Sequence, residues 1–285
     1  PLSMSPEEFR LIRDAINAHC GLFFDDRMKY LLERRLSRRV EQRLLRSFRE
    51  YEQFLRYDPH REEEFSELVE LLTTQETYFF RERYQMDALT REVLPEILER
   101  KKKAGGRTLR IWSAGCSSGE EPYTLAIVLS LCPLLRGWDW EVFASDISKN
   151  ALQKARNALY RPHSFRGEMP PEAARFFKPA EGGLQEVVPE IRARVNFSAM
   201  NLLDPDRLVL VRRLDAIFCR NVIIYFDSLT KRKVADLFFE KLEPGGFLFL
   251  GHSESLINLS TKFELRHFQD DMIYQRPVQP GGKTP

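Results

Sequence analysis

The sequence predicts an α/β protein in which a small all-helical N-terminal domain precedes a mostly parallel sheet domain carrying a small inserted antiparallel β element. Three observations lead there. Residues 5 to about 75 show helical periodicity and no strand-like alternation. Beyond Gly105-Gly106, short β-biased runs alternate with helical segments, the pattern of a parallel sheet. The interval from about Tyr160 to Ser198 breaks that rhythm with Pro162, Pro170, Pro171, Pro179, Gly182, Gly183 and Pro189.

Ser5-Pro6-Glu7-Glu8 is a capping box with proline at the first helical position, and Ser47 to Glu50 repeats the pattern. Between them Met28, Leu31, Leu32, Leu36, Val40 and Leu44 form an apolar stripe at spacings of three and four. Opposite it lie Arg27, Lys29, Arg34, Arg35, Arg38, Arg39, Arg43, Arg46 and Arg49, followed by an acidic run from Glu62 to Glu70. The helical domain is expected over 1–80 and a linker helix over 81–104, its end marked by Lys101-Lys102-Lys103 and the glycine pair. In the sheet domain, 105–276, the strands expected are Thr108 to Trp112, Glu141 to Ser145, Leu214 to Cys219 and Phe247 to Leu250. The insert, 160–198, contains hairpin-like pieces at Leu184 to Val188 and Val195 to Ser198, and the tail 277–285 reads as disordered.

Composition narrows the function classes. The chain of 285 residues is 43% hydrophobic and 12% aromatic, enough apolar material for a packed core and too much for a disordered or collagen-like chain. Lys and Arg total 44 against 42 Asp and Glu; a net charge of +2 implies no nucleic-acid or membrane partner, so any basic surface must be local. The longest uncharged stretch in mid-chain, Pro122 to Leu135, is broken by Pro133 and falls short of the ~18 to 20 residues of a membrane span. Cys20, Cys116, Cys132 and Cys219 form no CxxC pair, the five histidines form no HExxH, and no secretory signal opens the chain. A cytoplasmic protein without a metal site is expected.

The strand ending at Trp112 runs into Ser113-Ala114-Gly115-Cys116-Ser117-Ser118-Gly119-Glu120-Glu121-Pro122, which opens a helix. Such a strand–turn–helix junction at the carboxyl edge of an open sheet is where ligands bind, and Gly115 would let the backbone approach one closely. The loop is neither a GxGxxG fingerprint nor a phosphate loop, and Glu120-Glu121 would repel pyrophosphate while suiting a cation. S-adenosylmethionine, with its ammonium and sulfonium, is such a cation. Asp146, at the end of the next strand, is placed to accept hydrogen bonds from a ribose diol. Gly251-His252-Ser253-Glu254-Ser255 lacks the second glycine of a nucleophile elbow, which argues against a hydrolase.

Six segments taken together are more specific. Gln75-Glu76-Thr77-Tyr78-Phe79-Phe80-Arg81, Ser113 to Pro122, Ala144-Ser145-Asp146, Asn201-Leu202-Leu203, Phe218 to Phe226 and Gly251 to Ser255 resemble, in order and spacing, the CheR family of chemoreceptor methyltransferases. The resemblance spans nearly the whole chain. It implies a class I S-adenosylmethionine-dependent methyltransferase domain of Rossmann-like fold. It also implies transfer of a methyl group to glutamate carboxylates on chemoreceptor cytoplasmic helices for chemotactic adaptation, leaving S-adenosylhomocysteine. Residue by residue, it places Thr77, Arg81, Glu120, Asp146, Asn201, Leu202, Arg220 and Asn221 around the cofactor, with Gln75 standing where the family usually has asparagine. Arg81 or Arg220 would orient a carboxylate through a bidentate pair, Arg81 being the first choice, and Tyr225 would line the same pocket.

The basic face of the second helix, in particular Arg34, Arg35, Arg38, Arg39, Arg43 and Arg46, is expected to dock the acidic methylation region of a receptor helix. A nucleic-acid partner is disfavoured because the helix offers mainly Tyr30 for stacking. The segment from Phe177 to Val195 is short beside family members that tether to a receptor-tail peptide, so tether-independent recognition is expected. The sequence leaves two alternatives open: a methyltransferase of this fold acting on another acceptor such as RNA, and a non-catalytic sensor of S-adenosylmethionine or its demethylated product.

Overall fold

The computed structural model describes residues 2–209 and 211–278. Four helices form the N-terminal domain: α1 (Pro6–Cys20), α2 (Lys29–Gln42), α3 (Phe48–Tyr57) and α4 (Arg61–Leu72). The Ser5–Glu8 capping box is formed in both directions, and Gly21 closes α1 in the left-handed region at φ 80°. At α3 only half of the box forms, with Ser47 accepting from the Glu50 amide while the Glu50 carboxylate accepts from Arg46 N–H. Phe9, Ile12 and Ile16 of α1 pack with Leu32, Leu36 and Val40 of α2 and with Phe48, Tyr51, Leu68 and Val69 in one core. Met28 and Leu44, expected at the two ends of the α2 stripe, are instead exposed.

At the centre of this bundle Glu64 is fully buried. Its carboxylate accepts from Arg39 Nε (2.9 Å) and Nη2 (2.7 Å), from Arg43 Nε (2.5 Å) and from Tyr51 Oη (2.6 Å). Two residues expected on the docking face therefore point inward, because an ionised carboxylate between packed helices requires cations. Arg35 is also drawn in, donating to the Leu71 and Leu72 carbonyls at the end of α4. Arg34, Arg38 and Arg46 remain exposed.

Burial alone would raise the Glu64 pKa, but the hydrogen bonds from Arg39, Tyr51 and Arg43 outweigh it and hold the carboxyl below its ordinary value. A depressed folded pKa contributes stability that is complete above the unfolded value and is lost as pH falls through the folded one. Glu64→Gln strands two arginines without their anion; it is expected to destabilise the helical domain by about 3 kcal/mol and to flatten its acid-side loss, read by thermal denaturation across pH.

A connector follows: α5 (Arg83–Ala88) and α6 (Leu94–Lys103) joined by a π-helical turn, Leu89–Val93. The linker helix is thus continuous in path but not in pitch. The wider turn falls just before Pro95, which has no N–H for the regular ladder.

The sheet domain is β1 (Thr108–Ala114), α7 (Glu120–Leu131), β2 (Asp139–Asp146), α8 (Lys149–Asn157), β3 (Leu159–Tyr160), β4 (Phe177–Pro179), β5 (Gln185–Val187), α9 (Pro189–Arg192), β6 (Val195–Ala199), α10 (Pro205–Leu208), β7 (Leu214–Cys219), α11 (Ser228–Lys241), β8 (Leu242–Leu250), β9 (Glu264–His267) and β10 (Met272–Gln275). Seven strands form the main sheet in the order β6-β2-β1-β7-β8-β10-β9, parallel from β6 to β8, with β10 antiparallel to both its neighbours. Separate apolar cores cover its two faces. Trp112, fully buried on β1, meets Phe238 of α11 edge-on at 5.5 Å and donates to Ser145 Oγ.

One assignment from the sequence is corrected here. Val195 to Ser198 does not belong to the insert: it forms the edge strand β6, with Val195 opposite Val142 and Ala199 opposite Asp146 on β2. The insert's own sheet is β3-β5-β4, antiparallel throughout. The tail expected to be disordered lies, from residue 279 onward, outside the described residues. Among the described residues no helix is long and apolar enough to cross a membrane.

Candidate active site

Strand order reverses between β1 and β7, and at that switch point the carboxyl ends of β1, β2 and β7 open into a cleft with about 1070 Å³ of empty space, open solvent at its mouth included. Its roof is the helical domain. Leu22 and Val69 line the cleft, Asn201 Nδ2 donates to the His19 carbonyl (2.5 Å), and the Phe23 amide donates to the Tyr225 carbonyl (2.9 Å). Glu70 accepts from Ser148 Oγ (2.7 Å) and the Asn150 amide (3.1 Å), fixing α4 to the start of α8.

The β1–α7 turn forms one wall. Gly115 has φ +80°, and a Cβ there would lie 2.3 Å from Val222 Cγ2, so glycine is required both by backbone conformation and by the loop that follows β7. Its amide and that of Cys116 donate to the Ser145 carbonyl. Asp146 is buried at the end of β2 and accepts from the Ser117 amide (2.7 Å) and the Ser148 amide (2.9 Å). Burial pushes its pKa up, partly offset by those two amides. A carboxylate has about four acceptor positions, so two remain for a ligand.

Of the two adjacent glutamates, Glu121 lines the cleft, whereas Glu120, the one expected beside the cofactor, does not. Glu120 turns away from the cleft, where Ser118 Oγ (2.7 Å) and Ser164 Oγ (2.9 Å) donate to it, and it ties the insert to α7. Glu121 faces the cleft, accepting from Ser113 Oγ (2.7 Å) and Arg220 Nη1 (3.2 Å). Burial raises its pKa against the opposing effect of Arg220. Successive positions on a helix point about 100° apart, which is why adjacent glutamates diverge.

Arg220 is itself committed. Its side chain is 3% exposed, contacts Glu121 and Glu82 (3.1 Å), and donates to the Arg81 carbonyl (2.5 Å). A guanidinium held between two carboxylates serves the frame of the site better than it serves an incoming carboxylate. Arg81 is freer: Nη1 donates to the Glu76 carbonyl (3.0 Å) and the guanidinium lies 5.7 Å from the Tyr78 ring. Gln75, Thr77, Leu202 and Tyr225 also line the cleft, Gln75 accepting from Ser117 Oγ (2.5 Å).

Asn221 sits in the left-handed region at φ 59°, and its side-chain Oδ1 is buried without a partner among the described residues. An orphaned acceptor in a cleft already carrying Asp146 and Glu121 fits a ligand with amino and hydroxyl donors and positive charge, as S-adenosylmethionine has. Met200, Leu202, Val222 and Phe226 supply apolar surface for a purine. The loop that carries Asn221 is held by Glu254, whose carboxylate accepts from the amides of Asn221 (2.7 Å), Gly251 (2.8 Å), Val222 (2.9 Å) and Ile224 (3.2 Å). The sequence marks this glutamate only as part of a motif; its role emerges from the fold.

Residues 7–73 match the all-alpha domain of CheR methyltransferase, and residues 75–271 match the CheR methyltransferase SAM binding domain. The chain is 36% identical over 271 residues to chemotaxis protein methyltransferase 2 of Vibrio cholerae, covering 95% of this chain and 93% of that protein. It is 36% identical over 281 residues to chemotaxis protein methyltransferase 1 of Pseudomonas aeruginosa, covering 96% and 99%. With the Escherichia coli chemotaxis protein methyltransferase it shares 35% over 268 residues, covering 93% and 90%. Its two regions of family similarity thus abut where the helical roof meets the cleft, and the chain belongs to the CheR methyltransferase family of S-adenosylmethionine-binding enzymes.

Proposed function

We propose that the protein transfers the methyl group of S-adenosylmethionine to glutamate side chains of chemoreceptor cytoplasmic helices, forming glutamyl methyl esters. The observation that carries this reading is the convergence of Asp146, Glu121 and the unpartnered Asn221 Oδ1 in one cleft, with Arg81 beside them, in a chain similar to chemotaxis protein methyltransferases over almost its full length.

In this reading Asp146 accepts from the ribose diol, and Glu121 and Asn221 face the amino and cationic parts of the cofactor. Leu22, Met200 and Phe226 exclude water from its purine. Bound there, the cofactor supplies an electrophilic methyl on a sulfonium. The acceptor glutamate is already ionised at neutral pH, its ordinary pKa being about 4.3, so no general base is needed. One C–O bond forms as the C–S bond breaks, positive and negative charge cancel, and no proton moves. A dry cleft favours such charge cancellation, and the protein's contribution is alignment. Arg81 orients the acceptor carboxylate from the mouth of the cleft, and Tyr225 closes the side beside it.

Arg34, Arg38 and Arg46, the exposed remainder of the basic set, support docking of an acidic receptor helix without nucleic acid. The insert's strands are only two or three residues long, which supports recognition without a receptor-tail peptide.

The test is transfer of radiolabelled methyl to a chemoreceptor cytoplasmic fragment, scored as methanol released by base. Wild-type protein is expected to give base-labile label, and Arg81→Ala to reduce its rate by about a hundredfold, the loss of an oriented bidentate contact. Base-stable label on another acceptor, or cofactor binding with no turnover, would overturn the carboxyl reading.

A further inference from the structure

Beside the cofactor cleft lies a second, more open groove whose walls include Tyr78, Phe80, Glu82, Arg83, Arg166 and Glu168. Tyr78 lines both spaces, so the groove adjoins the cleft at that side chain. Arg166, from the insert, lies with its guanidinium 4.1 Å from the Tyr78 ring centre. Its Nη1 donates to the His163 carbonyl (3.0 Å), and its Nη2 lies 3.3 Å from Glu76 Oε1. The Glu76 carboxylate is 71% exposed, and Glu76 also lines the cleft.

We propose that Arg166, in the outer groove, receives the acceptor carboxylate first, before Arg81 orients it in the cleft, and that Glu76 of this chain holds the outer position until a receptor glutamate displaces it. The inference rests on the carboxyl-acceptor reading above and deepens it. Glu76 is chemically the same group as the substrate, placed on a guanidinium at the entrance to the cleft. An exposed ion pair of this kind is weak and easily exchanged. The receiving arginine, by contrast, is rigidly mounted. The Phe79 amide donates to the Ser164 carbonyl (2.8 Å), Ser164 Oγ donates to Glu120, and Gly167 packs so tightly on the Phe79 carbonyl that an added Cβ would lie 2.5 Å from it. Glu82, Asp87 and Glu168 give the groove acidic walls, with Glu82 already paired to Arg220. A carboxylate entering there is repelled except at a guanidinium, and of the two in the groove, Arg83 and Arg166, it is Arg166 that stacks on Tyr78, the residue shared with the cleft.

The experiment measures KM for a chemoreceptor cytoplasmic fragment at saturating cofactor, together with cofactor Kd and thermal midpoint. Arg166→Ala is expected to raise KM about tenfold, the loss of one charge-assisted contact, with cofactor Kd and midpoint unchanged. Arg166→Lys should fall between. Glu76→Gln is expected to lower KM a few-fold by freeing Arg166, and to have no effect in the Arg166→Ala background. That gain cannot arise from damage to the fold. An unchanged KM in Arg166→Ala, or an equal gain from Glu76→Gln with Arg166 absent, would overturn the proposal while leaving methyl transfer intact. Absence of base-labile ester from the wild-type protein would instead remove the carboxyl-acceptor reading and this inference with it.

Discussion

Asp146→Ala is expected to weaken S-adenosylmethionine binding by about a hundredfold, measured by titration calorimetry, while leaving the thermal midpoint of the cofactor-free protein within a few degrees of wild type. Two contributions add. The ligand loses hydrogen bonds to an ionised acceptor, each stronger than a neutral one. The amides of Ser117 and Ser148, which Asp146 orders at 2.7 and 2.9 Å, lose their partner, so the Gly115 turn and the start of α8 are no longer pinned at the cleft. Asp146→Asn keeps one acceptor oxygen and should lose roughly tenfold. A pH dependence accompanies this. Burial raises the Asp146 pKa, so the carboxylate takes up its proton at a higher pH than an exposed aspartate. As pH falls, cofactor affinity should begin to drop above the ordinary carboxylate range, and the variant without the group should not show that drop. Wild-type affinity in Asp146→Ala would mean that the ribose is held elsewhere.

The residues legible in the sequence were those whose chemistry is fixed locally. A strand, a glycine turn and a helix N-terminus are consecutive in the chain, so Thr108 to Pro122 announces a ligand loop without knowledge of the rest. The same holds for Ser5 to Glu8, where both capping bonds span three residues. What sequence cannot supply is the partner across space. Val195 to Ser198 reads as a strand, but only the sheet shows that it pairs with β2 and not within the insert. Arg39 and Arg43 read as surface because their neighbours on the helix are, until Glu64 from α4 is brought under them. Glu120 and Glu121 differ by one step on a helix, and that step decides which faces the cleft. Strands β9 and β10 carry alternation too weak to mark them in the sequence; their pairing to the edge of an existing sheet stabilises them. Leu22 and Val69 lie in the helical domain and gave no sign of lining a cofactor cleft, since their only signal is hydrophobicity.

Glu254 shows how far a single unadvertised side chain can govern the site, and its removal should produce a phenotype unlike that of Asp146. Its carboxylate gathers four backbone amides, from Gly251 at the end of β8 and from Asn221, Val222 and Ile224 after β7. No other residue type present there can accept from all four: a glutamine offers one acceptor oxygen and presents an N–H₂ where donors already point, and an aspartate is one methylene short. Glu254→Ala is expected to cost about 3 to 5 kcal/mol, the penalty of leaving several amides unpaired, and to lower the thermal midpoint accordingly. Glu254→Gln should recover little of it. The loop so released carries Asn221, which lines the cleft, and Val222, whose Cγ2 packs on Gly115 so closely that the two loops define each other's position. Tyr225 at its far end holds the helical domain through the Phe23 amide. Cofactor affinity should therefore fall together with stability in Glu254→Ala, whereas in Asp146→Ala it should fall alone. If Glu254→Ala binds cofactor as tightly as wild type at a lowered midpoint, the loop after β7 is shaped by Gly115 and the helical domain, and the four amides serve stability only.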